Sequence, residues 1–385
     1  MKPVPNEHRR SECPRPPVAV RRPWLPAAVL ACLAAAAGRS PAGEPAPGRP
    51  TGDQRPRVAP VAAADPQADQ SADAAWLASL HRVTDSMEWT DELIRHDWRL
   101  QRRPGTDECR ILDPRDRSVR EGSRDACLEA FASLGREGSI PAVSGPTVIV
   151  LHGLGEGRGS MRPLVEHLRS QLDATVLSFG YASPKAGIEE HGRALAEVIA
   201  GLPQADRISF VGHSLGNLVV RRWMGLAPAA DIARLHRMVM LGAPNQGSDL
   251  ARMASRIWVL AALANGAARD LVVDWNRVSR DLAVPACPFG IVAGGKGDDR
   301  GYSSLLEGDD DAVVRVAETR LEGADDFLLL PVHHAAMMRN AAVQRATVSF
   351  LKHGSFQEAD RPGQAGQAAA DADGSSAAEP RTPPP

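Results

Sequence analysis

The strongest constraint on this chain is a series of short, almost wholly apolar runs. "TVIVLHG" (147–153), "ATVLSFG" (174–180), "RISFVG" (207–212), "RMVMLGA" (237–243), "FGIVAGG" (289–295) and "DFLLLPV" (326–332) have strand length and little polar alternation. A strand that is apolar on both sides must be covered on both sides, the condition of a parallel sheet. Helical patterns lie between the runs, at about 161–172, 187–201, 215–226 and 339–352. This alternation predicts βαβ units: an α/β fold with a mostly parallel central sheet and helices on both faces.

One junction in this pattern carries a side chain that packing does not require. Residues 208–220 read "ISFVGHSLGNLVV", so a strand runs through Gly212-His213-Ser214-Leu215-Gly216 directly into a helix. In a strand–turn–helix this tight, side chains flanking the serine would clash, and Gly212 and Gly216 relieve the crowding. Ser214 is then lifted above the sheet edge at the N-terminus of the following helix, where the dipole favours developing negative charge. Gly212, His213 and Gly216 frame this nucleophile elbow. The plainer reading is a glycine-rich turn with an incidental serine.

A nucleophilic serine needs a base and an orienting acid, supplied in the order serine, acid, histidine. Downstream of Ser214 lie His236, His333, His334 and His353. His236 precedes a strand and His353 ends the last helix, whereas His333 and His334 follow the last strong strand, leaving that pair as candidates. The candidate acids Asp298, Asp299, Asp309, Asp310 and Asp311 all follow "FGIVAGG". Asp311 opens the apolar run "AVVRV" and is the one expected to lie against the protein body; a solvated acidic loop is the alternative. Two backbone N–H groups are needed for an oxyanion. Leu215, next to the serine, offers one, and Leu154 in "HGLGEGRGS" (152–160) the other. That loop lacks the Lys-Ser/Thr of a phosphate-binding loop and the spacing of a dinucleotide loop.

At these residues the chain resembles the lipase/esterase branch of the α/β-hydrolase superfamily. "VIVLHGLG", "FVGHSLGNLVVRRW" and "LGAPNQGS" are similar to segments of bacterial triacylglycerol lipases and GPI inositol-deacylase-like hydrolases. The resemblance spans about 145–352. It implies a Ser214–Asp311–His334 triad. The acid sits in an Asp-Gly-x-Val pattern, met by "DAVV" (311–314) with Ala312 in place of Gly. The base sits in a Val-x-His pattern, met by "VHHAAMM" (332–338) at His334 and not at His333. It implies hydrolysis of small-molecule or lipid carboxylic esters with no cofactor or metal, and transient contact with a lipid surface. An acyltransferase that excludes water, or a catalytically silent binding protein on the same fold, are the alternatives. The apolar segment "ARMASRIWVLAALANGA" (251–267) lies where such lipases carry a lid, and reads equally as a helix packed on the core.

Outside the α/β region (145–353) the chain changes character. A basic stretch with Arg9, Arg10, Arg15, Arg21 and Arg22 precedes "WLPAAVLACLAAAAG" (24–38), so residues 1–42 read as a signal peptide or N-terminal anchor and the protein as exported. Residues 43–73 and 354–385, rich in Pro, Ala, Gly and Asp, read as a disordered linker and tail. Residues 74–144 are expected to form a small helical extension, from the spacing of Trp76, Leu80, Val83, Met87, Leu93 and Ile94 and from "CLEAFASLGREG" (127–138). In an oxidising compartment Cys109 and Cys127 are expected to pair as a disulfide, two buried thiols being the alternative. A net charge of −2 gives no global field favouring nucleic acid.

Overall fold

The structure, a computed structural model, describes residues 87–249 and 265–356. The expected signal or anchor (1–42), the linker (43–73), most of the apolar segment 251–267 and the tail beyond 356 lie outside the described residues.

The described chain opens with an antiparallel meander: β1 (Thr90–Arg95), β2 (Trp98–Arg102), β3 (Glu108–Leu112) and β4 (Ser118–Ser123), paired in that order. Helix α1 (Arg124–Arg136) follows, capped by the Ser123 side chain, which accepts from the Ala126 amide. This corrects the expected helical extension. The segment is half sheet, and its alternation was hidden because polar residues are buried in it. Asp91, Glu92, Arg99 and Gln101 are all at most 4% exposed, satisfied by one another and by backbone rather than by water. Arg99 and Gln101 donate to the Asp91 carboxylate at 2.7 Å each, while Arg102 and Arg124 hold Glu92.

Leu100, Cys109, Ile111, Cys127, Phe131 and Ile140 form a small core under this sheet. The expected disulfide is absent: Cys109 and Cys127 are free, buried thiols. They act here as small apolar side chains, and burial pushes the Cys109 thiol up to about 12 and the Cys127 thiol upward.

The six apolar runs form β5 (Thr147–Leu151), β6 (Thr175–Phe179), β7 (Ile208–His213), β8 (Leu235–Leu241), β9 (Phe289–Gly294) and β10 (Asp326–Leu330). They make one sheet in the order β10-β9-β8-β7-β5-β6, and every neighbouring pair is parallel. Helices α2 (Arg162–Gln171), α3 (Ile188–Ala200), α4 (Leu215–Met224), α5 (Gly266–Val272) and α6 (Ala341–His353) accompany it. Alternate strand residues feed opposite faces. Ile149, Leu151, Phe210, Met238 and Ile291 pack with α3 and α4, whereas Val148, Val150, Val211, Val239 and Val292 pack with α2 and α6. The apolar runs of β5 to β9 are thus explained by two covered faces, whereas the edge strand β10 is only half-buried and leaves Leu329 exposed. The ordered domain also runs past the expected boundary at 353, since Phe356 is buried and its ring lies 5.0 Å from that of Phe350. Among the described residues no helix is long and apolar enough to cross a membrane.

The meander joins the edge strand β6 through Asp91. Its amide donates to Gly180 O at 2.9 Å, its carboxylate accepts from Gly180 N at 2.7 Å, and Arg99 donates onward to Ser178 O at 2.6 Å.

Candidate active site

Strand β7 delivers Ser214 to the mouth of the sheet, and α4 begins at the next residue. Ser214 has φ 51° and ψ −120°, a conformation that L-residues rarely adopt. Its neighbours hold it there: the Ser214 amide donates to Leu241 O at 2.9 Å, and Asn217 Nδ2 donates to Ser214 O at 3.1 Å. The flanking glycines are required by contact. A Cβ on Gly212 would lie 2.4 Å from Asn217 Oδ1, and one on Gly216 would lie 2.8 Å from Leu151 O and His152 O.

The acidic loop after β9 resolves residue by residue. Asp309 accepts from the Lys296 and Gly297 amides, Asp298 from those of Arg300 and Gly301, and Asp310 from those of Ser303 and Ala312. Asp311 alone of these reaches a histidine. Its Oδ1 accepts from the Val313 and Val314 amides at 3.0 and 2.7 Å, and its Oδ2 lies 2.6 Å from His334 Nδ1. The His334 amide also donates to Asp311 O at 2.8 Å, locking the two loops together. Ala312, where the lipase pattern has Gly, has φ 84°, so the turn calls for the conformation that glycine adopts freely. His333 is exposed and its ring lies 3.8 Å from that of Tyr302.

His334 comes to the serine through the elbow. The His213 and His334 rings are 4.6 Å apart, and Gly242, the residue after the Leu241 carbonyl that holds Ser214, would meet both the His334 ring and Asp311 if it carried a Cβ. No hydrogen bond joins Ser214 Oγ to His334 within the described residues. Such contacts often close only around a substrate. Burial disfavours the His334 imidazolium, but the bonded Asp311 carboxylate, helped by Glu156, outweighs it and raises the His334 pKa.

The loop after β5 faces the same spot. Gly153 approaches so closely that a Cβ there would lie 3.2 Å from Ser214 Cβ. His152 beneath it is fully buried. Its Nε2 accepts from the Tyr181 amide at 3.2 Å, which leaves Nδ1 to donate to Gly153 O at 2.9 Å. Burial accordingly holds its pKa low. The Gly153 amide donates to Glu156 Oε2 and the Gly155 amide to Ser183 Oγ. The Leu154 amide between them, like that of Leu215 at the start of α4, has no acceptor within the described residues. Sequence reasoning missed Glu156, Ser183 and Asn217, which carry no motif of their own; only their spacing from Gly153 and Ser214 could have pointed to them. Among the described residues no group of three or more His, Cys, Asp or Glu is set to hold a metal ion.

A parallel sheet with a serine elbow at its centre and a downstream acid–histidine pair is the layout of the α/β-hydrolase fold. Residues 147–255, which contain the elbow and the Gly153 loop, match the family described as "Putative serine esterase (DUF676)". No curated protein matches the chain. Solved structures with a similar fold include the mature Bacillus licheniformis lipase BlEst2, 19% identical over 51% of this chain and 87% of its own, with a TM-score of 0.41. The phospholipase PlaB from Legionella pneumophila is 18% identical over 57% of this chain and 61% of its own, at 0.43. A Listeria innocua protein, the lin2722 product, is 15% identical over 55% and 95%, at 0.40.

Proposed function

We propose that the protein hydrolyses carboxylic esters, with Ser214 as nucleophile, His334 as general base and acid, and Asp311 as the residue that orients it. The observation that carries this reading is the buried 2.6 Å contact between His334 Nδ1 and Asp311 Oδ2 beside the strained serine elbow. With Nδ1 committed to Asp311, Nε2 is left as the proton acceptor. Ser214 Oγ attacks the ester carbonyl carbon as its proton passes to His334 Nε2. The tetrahedral oxyanion takes hydrogen bonds from the Leu154 and Leu215 amides. The alcohol leaves with the proton from His334. Water then attacks the acyl-enzyme, giving its proton to the same nitrogen, and the carboxylic acid departs as Ser214 recovers its hydrogen. Apolar acyl chains and lipid esters are the substrate class proposed, on the resemblance to lipases and on the apolar composition of 251–267. Export by residues 1–42 belongs to the same proposal.

The test is covalent labelling by a fluorophosphonate probe, followed by p-nitrophenyl esters of increasing acyl length. Unmodified protein should be labelled at Ser214 and turn over esters, and Ser214→Ala should do neither while keeping its circular dichroism. Turnover persisting in folded Ser214→Ala would refute the mechanism.

A further inference from the structure

One carboxylate beside the elbow has no part in the triad. Glu156 Oε2 accepts from the Gly153 amide at 3.1 Å and from Ser160 Oγ at 2.7 Å, and lies 3.4 Å from His213 Nδ1. Two donors and one ring nitrogen, from three places, therefore converge on one oxygen: the loop after β5, the 3₁₀ turn that follows it (Arg158–Met161), and the residue immediately before Ser214. The side chain of His213 is 1% exposed. Its Nε2 faces His334 O at 3.2 Å, an oxygen that can only accept, so that nitrogen carries a proton. The other nitrogen faces the carboxylate. The chain of contacts thus runs from the Gly153 loop through Glu156 and His213 to the backbone of His334.

The consequence concerns one amide. Gly153 N–H is taken by Glu156 and Gly155 N–H by Ser183 Oγ. Bracing the amides on either side fixes the plane of the peptide between them and leaves the Leu154 N–H turned to neither brace. Burial alone would push the Glu156 carboxyl up, but His213, Ser160 and the Gly153 amide outweigh it and hold it well below the usual range. An ionised acceptor makes a stronger hydrogen bond than a neutral one.

We propose that Glu156 is a positioning residue: through Gly153 N–H and His213 it holds the oxyanion loop against the serine elbow and presents the Leu154 amide to the reacting carbonyl. This rests on the ester-hydrolase reading above. An oxyanion donor is engaged only in the transition state, so its misplacement lowers kcat and leaves KM alone.

Glu156→Gln keeps one carbonyl oxygen for Gly153 and Ser160 but loses the charge facing His213; Glu156→Ala removes all three contacts. Removing an oxyanion donor outright costs roughly 100- to 1,000-fold in kcat, so displacing one should cost about ten- to a hundredfold in Glu156→Gln and more in Glu156→Ala. KM on a p-nitrophenyl ester should stay within about twofold, as befits a contact made only in the transition state. The second readout needs no turnover: the Gly153 amide proton, followed by NMR, should sit downfield in the unmodified protein and move upfield in Glu156→Gln. A kcat within twofold of the unmodified protein, a rise in KM that accounts for the loss, or an unmoved Gly153 amide proton would each overturn the proposal. If the unmodified protein takes no fluorophosphonate at Ser214, the hydrolase reading fails by itself, and the amide proton then decides the clamp alone.

Discussion

Replacing Asp311 by Asn tests the triad more sharply than truncating it, because the structure dictates how the amide must sit. Asp311 Oδ1 receives two backbone N–H groups, from Val313 and Val314, and Oδ2 receives His334 Nδ1. Asparagine has one acceptor oxygen and one NH2. Turning the NH2 toward the two amides would set donors against donors, so the oxygen stays with Val313 and Val314. The NH2 then faces Nδ1, which must become an acceptor, and the ring proton moves to Nε2. That nitrogen can no longer take the serine proton. In the trypsin-type triad, where the same exchange fixes the wrong tautomer, the loss in kcat is about 10⁴, or roughly 5.5 kcal/mol of barrier. The fold should lose only about 1–3 kcal/mol, the scale of one altered hydrogen bond to a charged group. Steady-state hydrolysis of a short p-nitrophenyl ester, with thermal unfolding of both proteins alongside, separates the two. A folded Asp311→Asn protein whose kcat lies within tenfold of the unmodified protein would refute the role given to Asp311.

His333→Ala should cost tenfold or less in kcat, since His333 is exposed and packs against Tyr302, whereas His334→Ala should lower kcat by several decades; parallel kinetics on the two variants check this, and the reverse result would move the base by one residue. The pH profile of kcat/KM should have its acid limb above the ordinary histidine value of about 6.5, because the His334 pKa is raised and the base works only when neutral. The same shift makes a stability contribution that is complete at pH below the unfolded histidine pKa and is lost as pH rises through the folded one. A limb below pH 6 in a profile collected from pH 4 to 9 would contradict the ion pair. Ala312→Gly should stabilise the protein: relieving a left-handed residue is worth about 1–2 kcal/mol, less roughly 0.5–1 for the added freedom of glycine when unfolded, a net of about 1 kcal/mol read as a Tm rise of about 2–4 °C.

The hydrolase core was legible because its signals are local and redundant. Strands β5 to β9, covered on both faces, leave uninterrupted apolar runs, the edge strand β10 leaves another although it is only half-buried, and the elbow needs Gly212 and Gly216 whatever else the chain does. Of the five candidate aspartates after β9, the sequence favoured Asp311 through the apolar run behind it, and that run is what seats Val314 in the interior. The meander was illegible for the opposite reason. Its pairing depends on Asp91 and Arg99, buried against each other and against the backbone of β6, a partner some 80 residues on that no local pattern reveals. The turn at His96, with φ 54°, also lacks the Asn-Gly or Asp-Gly that marks a two-residue hairpin. Glu156 was overlooked because its contacts come from Gly153, Ser160 and His213, a convergence that exists only once the loop has folded.

The way the meander is attached has a bearing on where this protein can be cut. The stretch that matches the serine esterase family begins at residue 147, and the sheet that carries the elbow begins there too. An expression fragment started at that point would look complete by either measure. It would nonetheless strip Asp91 and Arg99 from the edge of β6, leaving the Gly180 amide and the Ser178 carbonyl bare and a strand edge open to other chains. The smallest unit able to stand alone therefore begins ahead of Thr90, and a recombinant fragment trimmed to the family match should be recovered as aggregate.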